Sequence, residues 1–229
     1  MGDPNDFASW KERKILSSHA SDLHETTTAK LGNIAEQDTN SFIREVIFMK
    51  NKTIGVITGN HKWDFTNKTN SDQRIATALN AKYLGDLAYI RIVLMQEGRV
   101  VNLDIVAHHG KAGGKTAGNT INQVDDLRRI FPIADIYLMG HDHKRGVWPE
   151  STLIVQTNHK NGQIVIKQKR QLLCRTGSFM RGYVDNHDSY VADRLLRPCE
   201  LGTIKLETRV KRDRTGGMDS SVADTHGYV

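Results

Sequence analysis

Three apolar, β-rich runs in this chain end alike, each passing into glycine, asparagine or histidine. "VITGNHKW" places Asn60 and His61 just past a strand-like run, "DIVAHHGK" places His108 and His109, and "YLMGHDHKR" places His141 and His143. No other feature constrains the fold as tightly. In open α/β sheets, ligands collect outside the carboxyl ends of the strands. Side chains remote in sequence then converge when their strands share a sheet edge. A single histidine of this kind is ordinarily a hydrogen-bonded loop residue. Three strand ends delivering Asn or His together describe a metal site, and a turn after the third strand can aim His141 and His143 at two neighbouring ions.

The remaining pattern supplies the elements that such an edge needs. Spaced apolar residues from Ser9 to Lys50 predict one or two helices with a break near Gly32-Asn33. "TIGVIT" (53–58) reads as a buried strand, and "SDQRIATALN" from Ser71 as a capped helix. "LAYIRIVLM" and "RVVNLDIVA" flank Gln96-Glu97-Gly98 and predict a hairpin. A helix over "NTINQVDDLRRI" and a buried strand "ADIYLMG" follow. Separate strands are then expected at "TLIVQT", "QIVIKQK", "QLLCRT" and "LGTIKLETRV". From Lys211 onward apolar periodicity is lost, which predicts a disordered tail over 211–229. The order is mixed α/β, with helices between the early strands and mostly strands later.

Composition narrows the function classes. The chain of 229 residues has 38% hydrophobic and 25% charged residues, enough for one domain of ordinary size. No apolar run reaches membrane-spanning length and no secretory leader pattern opens the chain, so the expected location is cytoplasmic with no membrane partner. Two unclustered cysteines, Cys174 and Cys199, argue against a disulfide framework or a thiolate zinc site. A net charge of +6 points to an anionic partner, such as a phosphorylated substrate or nucleic acid. "GDPND" at the start contributes Asp3, a carboxylate able to bridge two cations. With Asn oxygen and imidazole nitrogen it makes a mixed N/O donor set, suited to Mn, Fe or Zn rather than to an all-oxygen Ca or Mg site.

In this order "GDPND", "GNH", "AHHG" and "GHDH" resemble the calcineurin-like metallophosphoesterase family, whose pattern is D-x-H, GDxxD, GNH[DE], a lone His, and GHxH. The match runs from Gly2 to His143, and its wording is most similar to phage and prophage-type members. The resemblance implies a fold in which two mixed β-sheets form a sandwich flanked by helices, spanning residues 1–210. It implies two divalent metal ions (Mn, Fe or Zn) held by Asp3 as the bridge, Asn60, His108 (with His109 as the alternative), His141 and His143. His61 would act at the phosphate or leaving group without binding metal, and Asp6 would be structural. Lys62 stands where the family carries an acidic residue. The implied activity is hydrolysis of phosphate esters by hydroxide activated at a dinuclear centre, with phosphodiesters of nucleotides or nucleic acid favoured by the basic charge. No D-x-H precedes Asp3, so the expectation is an N-terminally truncated domain. The competing reading is therefore a catalytically impaired module of the same fold that binds metal or nucleic acid.

Two further motifs are read against ligand status. Asp22-Leu23-His24 is a literal D-x-H, but it follows GDPND and no strand leads into it, so a helix start fits better. "GKAGGKT" (110–116) has the setting of a phosphate loop but one residue too few between its glycines, and reads as a Gly/Lys loop beside the site. Lys111, Lys144 and Arg145 could attract phosphate, and Trp63 and Trp148 could line a pocket. Solvated charges and packing are equally good accounts of them.

Overall fold

The computed structural model describes residues 3–4, 25–111, 116–157, 161–187, 189–193, 195–213 and 220–229. Gly2, Asp6, the Asp22-Leu23-His24 motif, the part of the helical region before Glu25, and positions 112–115 of the Gly/Lys loop lie outside the described residues. The chain divides into two compact units, Met1–Ala88 and Tyr89–Val229, where one domain to residue 210 is expected from sequence.

In the first unit, helix α1 (Glu25–Val46) runs unbroken through Gly32-Asn33. A glycine inside a helix costs only about 1 kcal/mol relative to alanine, and burial of Ala35 one turn and Thr39 two turns further on offsets it. Strand β1 (Gly55–Ile57) pairs in parallel with β2 (Lys82–Gly85), and helix α2 (Ser71–Ala78) lies between them in sequence. Parallel neighbours need such a crossover. The α2 N-cap is Asn70, one residue before the expected Ser71: its side chain accepts from the Gln73 N–H at 2.9 Å while Gln73 accepts from the Asn70 N–H at 3.0 Å. Ile75, Ala76 and Leu79 are buried, and Arg74 bridges α2 to α1 through Glu36 at 2.7 Å.

The second unit is built on one mixed sheet. Strand β3 (Leu87–Gln96), which begins at the unit boundary, turns through Glu97-Gly98 into β4 (Arg99–His108), as the hairpin pattern requires. Helix α3 (Ala117–Ile130) follows, then β5 (Ile136–Met139), β6 (Arg145–Thr157) and β7 (Ile164–Ser178). The order across the sheet is β3-β4-β5-β7-β6; β5 is parallel to both β4 and β7, and β6 and β7 form a long antiparallel hairpin. The two strands expected at 163–169 and 171–176 are a single β7, because Arg170 continues the alternation instead of breaking it. Helix α4 (Tyr190–Asp193) and the short strand β8 (Gly202–Thr203), paired to the end of β7, lead into β9 (Lys205–Asp213).

The tail corrects the sequence expectation. Lys211–Asp213 complete β9, and Ser220–Tyr228 form β10, antiparallel to β9 from Ser220↔Asp213 to Tyr228↔Lys205. Its composition is polar because only one side of this ribbon meets apolar neighbours: Leu206 and Ala223 pack with Leu103, Ile105, Ile136, Leu172 and Cys174. The opposite face of the sheet carries Val106, Tyr137, Met139 and Leu173 against Val124 and Leu127 of α3, with Trp148 at the margin. Trp148 is thus a packing residue. Strict alternation along β5 and β7 sends Ile136 and Leu172 to one core and Tyr137 and Leu173 to the other. Each such fully buried side chain contributes roughly 1.5–3 kcal/mol. The architecture is mixed α/β, with a multi-stranded mixed sheet between a helix and a ribbon. No described helix is long and apolar enough to cross a membrane.

Candidate metal centre

Each unit gathers its own share of the expected ligands. In the first, β1 ends at Ile57, and Thr58-Gly59-Asn60-His61 turn away from it. Asp3 lies against this turn, its Oδ1 accepting from the His61 backbone N–H at 2.7 Å. A Cβ at Gly59 would land on the Asp3 carboxylate and backbone amide, so only glycine permits this approach. Asp3 itself has a positive φ of 49°. The structure therefore brings "GDP" and "GNH" together, with Asn60 and His61 half-buried in the turn.

Asp72, absent from the sequence reading, holds the turn from below. It is fully buried in the first turn of α2, and its Oδ2 accepts from the Gly59 N–H at 2.9 Å. Burial, the largest influence, pushes its carboxyl up from the ordinary range; the Gly59 hydrogen bond opposes this, the Asp3 charge adds to it, and Lys62 opposes it. Thr58 and Asn70 both reach the Tyr83 hydroxyl, which ties the end of β1 to β2 and to the α2 cap. The available signal was "SD" at a helix start, which reads equally well as a surface cap.

In the second unit the ends of β4 and β5 lie side by side. The ladder runs to His108↔Met139, and just beyond it the Gly140 N–H donates to the His109 carbonyl at 2.9 Å. Gly110, at φ 115°, passes so close that a Cβ would sit 2.8 Å from the Gly140 carbonyl oxygen. This turn sets the buried His109 ring against His141: Nε2 of His109 is 3.0 Å from Nδ1 of His141, with ring centroids 5.0 Å apart and nearly perpendicular. His108 is directed elsewhere, its Nδ1 accepting from the Gly110 N–H at 2.8 Å. Of the two histidines, His109 is the one whose ring nitrogen meets that of His141. His141 and His143 both adopt left-handed backbone, at φ 71° and 60°, and the intervening Asp142 N–H donates to the Gly140 carbonyl at 3.0 Å.

A buried guanidinium braces this second turn. Arg175, on the α3 side of β7, is fully buried. It donates to the Thr120 carbonyl at 3.0 Å, the Gly140 carbonyl at 2.7 Å and Gln123 Oε1 at 2.7 Å. Burial pulls its pKa down from the ordinary value while Asp142, 3.7 Å away and only 3% exposed, supports the charge. Asp142 Oδ2 has no hydrogen bond among the described residues and lies 3.7 Å from Lys144 Nζ. Lys144 in turn donates to Thr120 Oγ1 at 2.7 Å, and Arg145 pairs with Glu200 at 2.6 Å. Lys144 and Arg145, two of the three cations offered from sequence as phosphate attractors, are thus engaged within the protein. Lys111 is exposed.

The donor chemistry fits a transition-metal ion. Metal–imidazole bonds of about 2.0–2.1 Å at angles between 90° and 110° place two ligand nitrogens about 2.9–3.4 Å apart. The His109–His141 spacing of 3.0 Å falls in that window and equally suits a hydrogen bond with one ring donating. No family model, no curated protein and no solved structure matches this chain.

Proposed function

We propose that this chain is a metal-dependent phosphoesterase acting on phosphodiesters of nucleotides or nucleic acid. The observation that carries the reading is the His109–His141 pair, two imidazole nitrogens 3.0 Å apart at adjacent ends of parallel strands. Asp3, His109 and His141 are candidate ligands among the described residues. Asn60 and His143 join them, and His61 is assigned to the substrate phosphate, on the order of the GDxxD, GNH and GHxH motifs alone. His109 takes the place first given to His108. The metallophosphoesterase-type sandwich of two sheets and the pair of ions, Mn, Fe or Zn, belong to the same proposal.

Divalent ions at such a centre lower the pKa of bound water and polarise phosphoryl oxygens. The chain's own contribution is rigidity and charge. Asp72 and Gly59 hold the Asn60–His61 turn, with Asp3 accepting from it. Arg175 fixes the carbonyl preceding His141. His61 is the group that would donate a proton to, or stabilise charge on, the leaving oxygen. The net charge of +6 favours a polyanionic substrate.

The test is metal content of the purified chain together with hydrolysis of bis(p-nitrophenyl) phosphate in Mn²⁺. Tight binding of at least one ion and turnover that disappears in His109→Ala and in His141→Ala are expected. Turnover at the wild-type level in either variant would refute the assignment, and so would a wild-type chain that neither holds metal nor hydrolyses the ester.

A further inference from the structure

The far half of the β6–β7 hairpin has no role in the proposed chemistry, and its surface is unusual. Leu153, Val155, Ile164 and Ile166 are 72%, 69%, 68% and 64% exposed. The register places Val155 opposite Ile166 and Thr157 opposite Ile164, so the four share one face of the ribbon. Together they expose about 500 Å² of apolar surface, as large as the biggest patch on a typical monomer. β6 is also the end of the sheet order, and no described element pairs with its outer side. Its near half carries Pro149 and Glu150, residues that blunt a sheet edge. The far half, "STLIVQT" (151–157), carries neither charge nor proline.

We propose that this edge is where two copies of the chain associate, β6 against β6 in antiparallel register about Ile154. That register sets Leu153 opposite Val155 and Ser151 opposite Thr157, apolar on apolar and polar on polar, with no charged residue in the seam. Among the described residues of this far half, the basic ones, Lys167, Lys169 and Arg170, lie on β7, away from the joining edge. Charge therefore permits a second copy, and the scarcity of cations on the apolar face disfavours a polyphosphate there. The stripes of the two copies meet at Leu153 and Val155, and main-chain hydrogen bonds along 151–157 join the two strands. This inference is independent of the proposed phosphoesterase activity.

The experiment is sedimentation velocity of the full chain over a concentration series, for wild type, Val155→Lys and Leu153→Lys. Both positions are exposed, and circular dichroism matching wild type checks that each variant is folded. A wild-type species of twice 25.8 kDa is expected. Each variant should raise the dissociation constant by about a hundredfold, because each lysine enters the interface twice. Val155→Thr, a β-favouring substitution, should weaken association less and serves if a lysine variant misfolds. A wild type that stays monomeric at high micromolar concentration overturns the proposal. So does a dimer unaffected by both lysines, or a monomer that instead binds anionic phospholipid vesicles or single-stranded oligonucleotide through Val155.

Discussion

Arg175→Met tests whether a buried guanidinium organises the turn that carries His141. The substitution keeps much of the side-chain volume and removes three donors and a charge. It takes the charged donors away from the Gly140 and Thr120 carbonyls and from Gln123 Oε1, now held at 2.7, 3.0 and 2.7 Å, and leaves Asp142 without its buried neighbour at 3.7 Å. Hydrogen bonds from a charged donor are worth about 1.5–3 kcal/mol each. Removing one member of a buried ion pair costs about 3–5 kcal/mol. These figures describe one event and do not add, so the expected loss is about 3–5 kcal/mol. Urea unfolding followed by circular dichroism reads it as a lower midpoint at unchanged slope. A second arm places Asp142→Asn in the Arg175→Met background. Removing the carboxylate's buried charge should restore about 1–2 kcal/mol there, while the same change in the wild-type background destabilises. A loss below about 1 kcal/mol for Arg175→Met, or an identical effect of Asp142→Asn in both backgrounds, would refute the reasoning.

Other outcomes follow from the same contacts. Gly59→Ala drives a Cβ into Asp3, so it should weaken Mn²⁺ binding by roughly tenfold or more in titration calorimetry; unchanged affinity would separate Asp3 from the metal. Cys174 is fully buried and its thiol is pushed up to about 12 by desolvation, whereas Cys199 is half-buried and raised less. A disulfide reagent at neutral pH should therefore modify Cys199 first and reach Cys174 only in denaturant; rapid native labelling of Cys174 would contradict its burial. Because the folded thiol titrates above the unfolded one, the stability linked to Cys174 is complete below about pH 8.5. It is lost as pH rises toward about 12, so Cys174→Ala should flatten the alkaline limb of a stability profile.

How much of this was legible in the sequence depends on how local each signal is. The ends of β1, β4 and β5 were readable because an apolar run meeting Gly, Asn or His is written in consecutive residues, and the Glu97-Gly98 hairpin was readable for the same reason. Asp3 against the Gly59–His61 turn was anticipated from the motifs, and the structure of the first unit supplies the contact. The β10 strand was missed because a ribbon apolar on one side, with Ala223 as a core contact, carries almost no hydrophobic period. Asp72 and Arg175 were missed for a different reason: in isolation a helix-start Asp and a strand Arg read as surface residues. What buries them is the carbonyl and amide groups of segments many residues away.

The sequence by itself determined that polar, metal-competent side chains follow three strands, since strand propensity and glycine punctuation are local properties of the chain. Which histidine meets His141 was decided only by tertiary structure. Pairing of β4 with β5 stops at His108↔Met139, and the Gly110 turn then sends adjacent residues in different directions. A shift of one residue reverses side-chain direction along a strand, so only the register between strands could choose His109 over His108.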